Sequence, residues 1–305
     1  QSRFRRIFLA QSISTLGDQI APIAVAFAVL EVTGSGAALG LVLAARTLPM
    51  VVFLLLGGAW ADRLPRKSIM VVSDLVRLVT QGIFAVLLTQ DAPPLWAMMA
   101  LQAGNGAASA FFKPASSGLV QEAVAPGERQ TANGLLSATA NLSAIAGPLI
   151  AAALIALVGN AWAVGADALS FGLSAIFLIG VVVPPRVPKE RIGIGREIAE
   201  GFRAVVATRW IGLMILEFSI FQLFVLASFS VIGPIIADAA YDGATTWALV
   251  AAVVGAGALL GDALSLRIRP RHPLLVANLV SFGFLPLFVA LALGAPVPVL
   301  LLCAI

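Results

Sequence analysis

Charge is what this chain lacks most. Only 11% of its residues are Asp, Glu, Lys or Arg, against about 25% in an ordinary soluble domain. Cysteine and histidine are scarcer still, with one of each, Cys303 and His272. A single cysteine excludes an internal disulfide framework. A single histidine in a basic loop, with no Cys/His spacing around it, predicts no metal site and no nucleophile–base–orienter set, so no enzyme. There is no phosphate-binding glycine loop of the P-loop type, so ATP is not expected to drive the protein directly. What fills the chain is apolar: 60% hydrophobic residues and a mean hydropathy of +1.01. A bilayer accommodates that much apolar surface and a soluble core does not.

The apolar residues fall into runs of about 20, the length a helix needs to cross a ~30 Å hydrocarbon core. They predict nine spans, approximately 8–30, 36–58, 68–90, 94–113, 133–158, 161–184, 210–236, 245–266 and 274–293, with a tenth starting near Pro298. Leu, Ala, Val and Gly without polar alternation fit helices, not barrel strands. The first run is too long for a cleavable signal peptide, and it holds Gln11, Asp18 and Gln19.

The positive charges set the orientation. With a cytoplasmic N-terminus, the inner segments hold Arg3, Arg5, Arg6, Arg63, Arg66, Lys67, Arg129, Arg186, Lys189, Arg191, Arg196, Arg203, Arg209, Arg267, Arg269 and Arg271. Arg46, Arg77 and Lys113 lie within or at the ends of spans. The opposite loops carry Glu31, Asp91, Asp238 and Asp242 and no basic residue. The positive-inside rule then predicts a multi-pass protein of the inner (cytoplasmic) membrane. The net charge of +4 is a topology signal and implies no nucleic-acid partner.

Six spans precede a hydrophilic segment, 185–209, in which Ile198, Phe202, Val205 and Val206 recur at helical spacing among charges. That pattern predicts an amphipathic helix on the inner membrane surface. The chain therefore divides into a six-helix bundle over 1–184, a cytoplasmic linker over 185–209 and a second bundle over 210–305. The segment Gly58-Ala59-Trp60-Ala61-Asp62-Arg63-Leu64-Pro65-Arg66-Lys67 has a weak echo at an offset of 204 residues: Arg63 aligns with Arg267, Lys67 with Arg271, and Leu75-Val76 with Leu279-Val280. A charged hinge repeated once per half indicates duplication. A complete duplicated protein of this kind needs roughly 400 residues, so the second bundle is expected to be incomplete, giving about nine and a half helices in all.

The cluster Gly58-xxx-Asp62-Arg63-xx-Arg66-Lys67 resembles the motif between helices 2 and 3 of the major facilitator superfamily, with Pro65 where that family usually has Gly. Gly147-Pro148 resembles the Gly-Pro motif of its export-type members, with Ala151-Ala152 where two glycines often follow. Gln11-Ser-Ile-Ser-Thr-Leu-Gly-Asp18, Phe111-Phe112-Lys113-Pro114-Ala115 and Ala166-Asp167-Ala168-Leu169-Ser170-Phe171 look like the drug and siderophore exporter branch, the enterobactin-exporter-like group. The resemblance implies an all-α integral membrane fold and secondary transport without a cofactor. It also implies that the Asp62 cluster, with Gly58, Arg63, Arg66 and Lys67, latches onto the start of the eleventh helix in the other half. The echo has Leu266 where Asp62 stands, so only the first copy keeps that acceptor.

Ionisable groups inside spans are costly and mark function. Asp18 and Arg46 sit about 15 and 18 Å into their spans at 1.5 Å per residue, and are predicted to face the bundle interior within reach of each other. Asp18 is then a proton or cation site tuned by Arg46; the alternative is a fixed ion pair that only orients helices. Glu217 in span 7 is a second candidate site, or a residue that snorkels to the interface. Gln222 is the repeat counterpart of Asp18. Asp74 and Arg77, three residues apart on one face near the cytoplasmic end of span 3, are expected to pair with each other or with the Asp62 cluster and are assigned to the latch. Asp167 is read as a cap or anchor near the outer end of span 6. Gly147 and Pro148 mark a bend or tight seal in span 5. Phe221, Phe224 and Phe229 are candidates for an apolar cavity wall.

The sequence thus reads as a proton-driven exporter of amphipathic small molecules working by alternating access as a monomer, with lipid, substrate and protons as partners. A dedicated siderophore or metabolite exporter is the nearest alternative. A non-transporting membrane receptor, or an inactive truncated form, is the alternative of another class.

Overall fold

The computed structural model describes residues 2–61, 64–182, 203, 205–265, 276, 280 and 282–305. Asp62, Arg63, the amphipathic segment around Ile198 and Phe202, and the echo residues Leu266, Arg267, Arg271 and Leu279 lie outside them. So does the side-chain environment of Gly58.

The chain is all-α. Its elements are α1 (Ser2–Thr33), α2 (Gly36–Ala61), α3 (Arg66–Leu87), α4 (Leu95–Ala123), α5 (Arg129–Val158) and α6 (Asn160–Ile179). They continue with α7 (Arg209–Phe221), α8 (Ala227–Ala240), α9 (Gly243–Ser265), α10 (Leu285–Ala292) and α11 (Val297–Cys303). A helix satisfies every backbone polar group within its own segment, which is what lipid demands. The breaks fall where the sequence supplies them. Gly34 at φ +60° ends α1, and Gly159 at φ +91° separates α5 from α6. Both are left-handed conformations that favour glycine. The Ser35 hydroxyl accepts from Ala38 N–H at the start of α2, as an N-cap serine does.

Among the described residues, seven helices are long and apolar enough to cross a membrane. They correspond to the predicted spans 1, 2, 3, 5, 6, 7 and 8. Three predicted boundaries need correction. Span 1 continues to Thr33. Span 4 does not stop at Lys113 but runs through Pro114 to Ala123; with Gln102, Asn105, Lys113 and Glu122 along it, it is not one of those seven. Span 7 is broken in its middle by a five-residue π turn, Gln222–Leu226, between α7 and α8. Such turns insert an extra residue into a helix and recur at functional sites.

Within the first six helices, α2 packs on α4, α3 on α4 and α6, and α1 on α5 and α6. The two halves join through α5 on α9, and through α8 on α1 and α2. These contacts gather toward one end. Gly36 at the start of α2 lies against Ile235 of α8, and Gly243 against Phe27 and Asp238. At the other end α7 buries no residue.

Phe221 and Phe229 pack against other aromatic rings of the second half. Their rings meet Phe284 at 5.8 and 6.2 Å, and Phe229 meets Trp247 at 4.6 Å. Phe224 is exposed. Aromatic rings bury more surface against one another than against an open cleft.

Candidate functional site

α3 is built inside out. Its buried face carries Met70, Ser73, Asp74, Arg77, Gln81 and Phe84, the i, i+3, i+4 spacing of one helical stripe. Its outer face presents Val72, Val79 and Val86. Lipid welcomes the valines, so the polar stripe turns inward and needs partners from neighbouring helices.

Arg77 is the centre of those partners. Its guanidinium pairs with Asp74 one turn back and reaches the Asp18 carboxylate on α1 at 3.4 Å. Arg46 on α2 stands 3.8 Å from the other oxygen of Asp18. Two acids and two guanidiniums thus alternate as Arg46, Asp18, Arg77, Asp74 across three helices. The Ser174 hydroxyl on α6 donates to Asp74 at 2.6 Å. Two rings clamp the guanidinium of Arg77, Phe112 at 4.2 Å and Phe171 at 4.1 Å, in the geometry of a cation–π contact. Arg77 and Asp74 are fully buried, whereas 37% of the Asp18 side chain stays accessible. Asp18 is the acid of the chain that solvent can reach.

A second strand of the network runs through uncharged groups. Gln102 on α4 donates to Gln81 at 2.8 Å, and Gln81 donates to Asp167 on α6 at 2.7 Å. All three are buried. Asn105, also buried, lies one turn from Gln102 on α4. Close helix approach is what assembles this layer. A side chain at Gly106 would collide with the Arg46 backbone, and one at Gly17 with Ser170 and Asp167. Small residues at such crossings let helix backbones approach.

The structure thus brings Asp18 and Arg46 together and adds Arg77, which the sequence reading had placed with the latch. Asp74 and Arg77 do not sit near the charged loop. They lie about 12 and 17 Å along α3 by helical rise, in the ion chain with Asp18. Asp167 is neither a cap nor an anchor at a helix end; it is fully buried in the middle of the bundle. Gln81, Gln102, Asn105, Ser170 and Ser174 were missed. Their signal was present as polar residues recurring at helical spacing inside apolar runs.

Arg66 and Lys67 hold different partners. Arg66 pairs with Glu122 of α4 at 3.3 Å. Lys67 donates to the Ile179 carbonyl at the end of α6 at 2.7 Å, where a cation meets the negative end of the helix dipole. Glu217 is half-buried on α7, and Gln222 is exposed in the π turn; neither joins the ion chain. Gly147 lies buried against Gln19 of α1, with Pro148 buried beside it inside α5. Two hollows of about 310 and 250 Å³ run between α1 and α5, lined by Gln11, Ser12, Thr15, Ser137, Thr139 and Ser143 among others. Among the described residues, no group of three or more His, Cys, Asp or Glu is placed to hold a metal ion.

The sequence matches the family model of the Major Facilitator Superfamily over residues 7–305, and the chain belongs to that superfamily. It is 28% identical over 310 residues to the uncharacterized MFS-type transporter YfiS of Bacillus subtilis (strain 168), covering 96% of this chain and 70% of the relative. It is 26% identical over 300 residues to the enterobactin exporter EntS of Escherichia coli O1:K1 / APEC, covering 93% of this chain and 69% of that one. In three dimensions it resembles a bacterial homologue of the iron transporter ferroportin in an inward-facing state, with a TM-score of 0.72, 18% identity, and 99% and 78% of the two chains covered. A bacterial homologue of the lysosomal transporter Spinster, inward-facing and unoccupied, gives a TM-score of 0.68 at 20% identity, covering 99% and 71%. The fold and family are those of membrane transporters, not of enzymes.

Proposed function

We propose that this chain is a secondary active exporter of amphipathic small molecules in the cytoplasmic membrane, driven by a proton gradient and needing no cofactor. The observation that carries the reading is the ion chain Arg46–Asp18–Arg77–Asp74, in which Asp18 is the one accessible acid. Membrane-embedded ions of this kind mark substrate and proton pathways. In this reading residues 1–184 and 210–305 form two bundles joined by the linker 185–209, and they rock about the site. A cleft between the bundles then opens inward, with the N-terminus read as cytoplasmic from the distribution of basic residues. Asp18 and Arg46 form one wall. Glu217 and Gln222, at the break in span 7, form the other. Gly58, Asp62, Arg63, Arg66 and Lys67 form the latch of the outward-open state, and the anchorage of Arg66 and Lys67 on α4 and α6 gives that latch a rigid base. Gly147-Pro148 seals α5 against α1. Flux in proteoliposomes tests the reading: Asp18→Asn should abolish efflux driven by an imposed pH gradient, and unchanged efflux would sink it.

The 26% identity to an enterobactin exporter over most of the chain supports a second reading, export of an anionic siderophore. Arg46 would then be the recognition group, since a guanidinium meets carboxylate and phenolate oxygens with charge-assisted hydrogen bonds.

A further inference from the structure

The ion chain leaves one buried acid unused. Asp167 is fully buried. One of its oxygens accepts from Gln81 at 2.7 Å; the other, Oδ1, has no hydrogen-bond partner among the described residues. Among the described residues no cation contacts it within ion-pair distance, in contrast to Asp74, which holds Arg77, and to Asp18, which holds two guanidiniums. An ionised carboxylate without a cation is the costliest state a membrane core can contain, and the neutral acid costs far less. Asp18 has the reverse arrangement, with two guanidiniums beside it.

The charged groups that act on Asp167 are Asp18 on α1 and Arg46 and Arg77 on α2 and α3. Asp74 of α3 is occupied by Arg77 and Ser174. α5, the third helix packed on α6, has only Arg129 at its first residue. The unpartnered oxygen faces Gly17, where a side chain would collide with it, and Gly17 is followed directly by Asp18. The buried acid and the Ser170 side chain thus lie together against the bare backbone of Gly17, one residue from the accessible acid.

We propose that Asp167 is the carboxyl that carries the coupling proton and that Asp18 relays this proton to the cleft. The inference rests on the proton-driven reading given above. In the step itself the O–H bond at Asp167 breaks, the proton passes by way of the Asp18 carboxylate to water, and the electron pair stays on Asp167. The new charge on Asp167 is held by the Gln81 N–H and by the field of Arg77. Gln81 is a positioning residue, since it favours the ionised form without touching substrate.

The test uses the complete protein in proteoliposomes, with ethidium as an amphipathic cation. Asp167→Asn keeps an acceptor for Gln81, so it is expected to lose efflux driven by a pH gradient while retaining ethidium counterflow without a gradient. Gln81→Leu removes the donor, so the pH midpoint of efflux should move upward by about one unit, the worth of one hydrogen bond to a charged group. Gradient-driven efflux that survives Asp167→Asn overturns the inference. If that variant loses counterflow as well, the Gln81→Leu profile decides, and an unmoved midpoint overturns it. If the unaltered protein shows no dependence on the pH gradient, the proton-driven reading itself fails, which is a separate result.

Discussion

Arg77 reaches Asp18 at 3.4 Å across the boundary between α3 and α1 while pairing with Asp74 on its own helix. One guanidinium therefore divides itself between a fully buried acid and a partly accessible one. The two acids differ in what removing Arg77 would do to them. Asp18 keeps Arg46 at 3.8 Å, but Asp74 would keep only the Ser174 hydroxyl.

Arg77→Ala should accordingly destabilise the protein by about 3–5 kcal/mol, the cost of leaving one partner of a buried pair uncompensated. The removal also strips the contacts with the Phe112 and Phe171 rings. Arg77→Lys is expected to recover only part of the loss, because an ammonium neither forks between two carboxylates nor stacks between rings. Thermal unfolding in detergent measures both. An Arg77→Ala protein as stable as the parent would contradict the buried pairing.

Asp18→Asn should leave unfolding nearly unchanged, since the side chain is partly accessible and amide and carboxylate have the same shape. Transport should fail all the same. Flux and melting temperature measured on the same preparation separate a functional role from a structural one.

Gly106→Val should destabilise by about 1–3 kcal/mol or more, the cost of forcing volume into a closed contact. The backbone of Arg46 occupies the space a side chain would need, so α2 must shift and carry Arg46 away from Asp18. Loss of transport without loss of stability at this position would contradict the packing described.

Arg46→Gln distinguishes the two substrate classes. Export of an anionic siderophore should collapse, whereas export of an amphipathic cation should persist or rise as Asp18 loses one of its two guanidiniums. Competitive flux of an anionic and a cationic probe reads the difference. The opposite ordering of losses would favour Glu217 over Asp18 as the cation site.

Much of the fold was legible because lipid leaves few choices. Apolar runs bounded by Gly34, Gly159 and Pro94 read directly as helices. The site was legible one helix at a time. Asp18 and Arg46 stood out as charges in apolar surroundings, and their similar depth predicted a contact. Depth does not say which helices are neighbours, so Arg77 was assigned to its own loop when α3 in fact lies beside α6 and α4. Uncharged Gln81, Gln102 and Asn105 drew no notice, although the polar period along α3 points at the same face as Asp74 and Arg77. Asp167 was misplaced for a different reason. Its burial depends on Gly17 of another helix, a contact no pattern within span 6 reveals. The π turn at Gln222 has no sequence signal that the helical pattern would expose.

The glycines of α5 and α9 carry one more consequence. Gly147 meets the stem and backbone of Gln19 on α1, and Gly255 of α9 meets the Ala144 carbonyl on α5. At both places helix surfaces touch with almost no side chain between them, so the ridges and grooves that lock one helix against another are absent. A joint without teeth offers no steps to a rotation. α5 is thereby suited to serve as a bearing, held tightly along its length yet free to turn, about which one half of the molecule swings against the other.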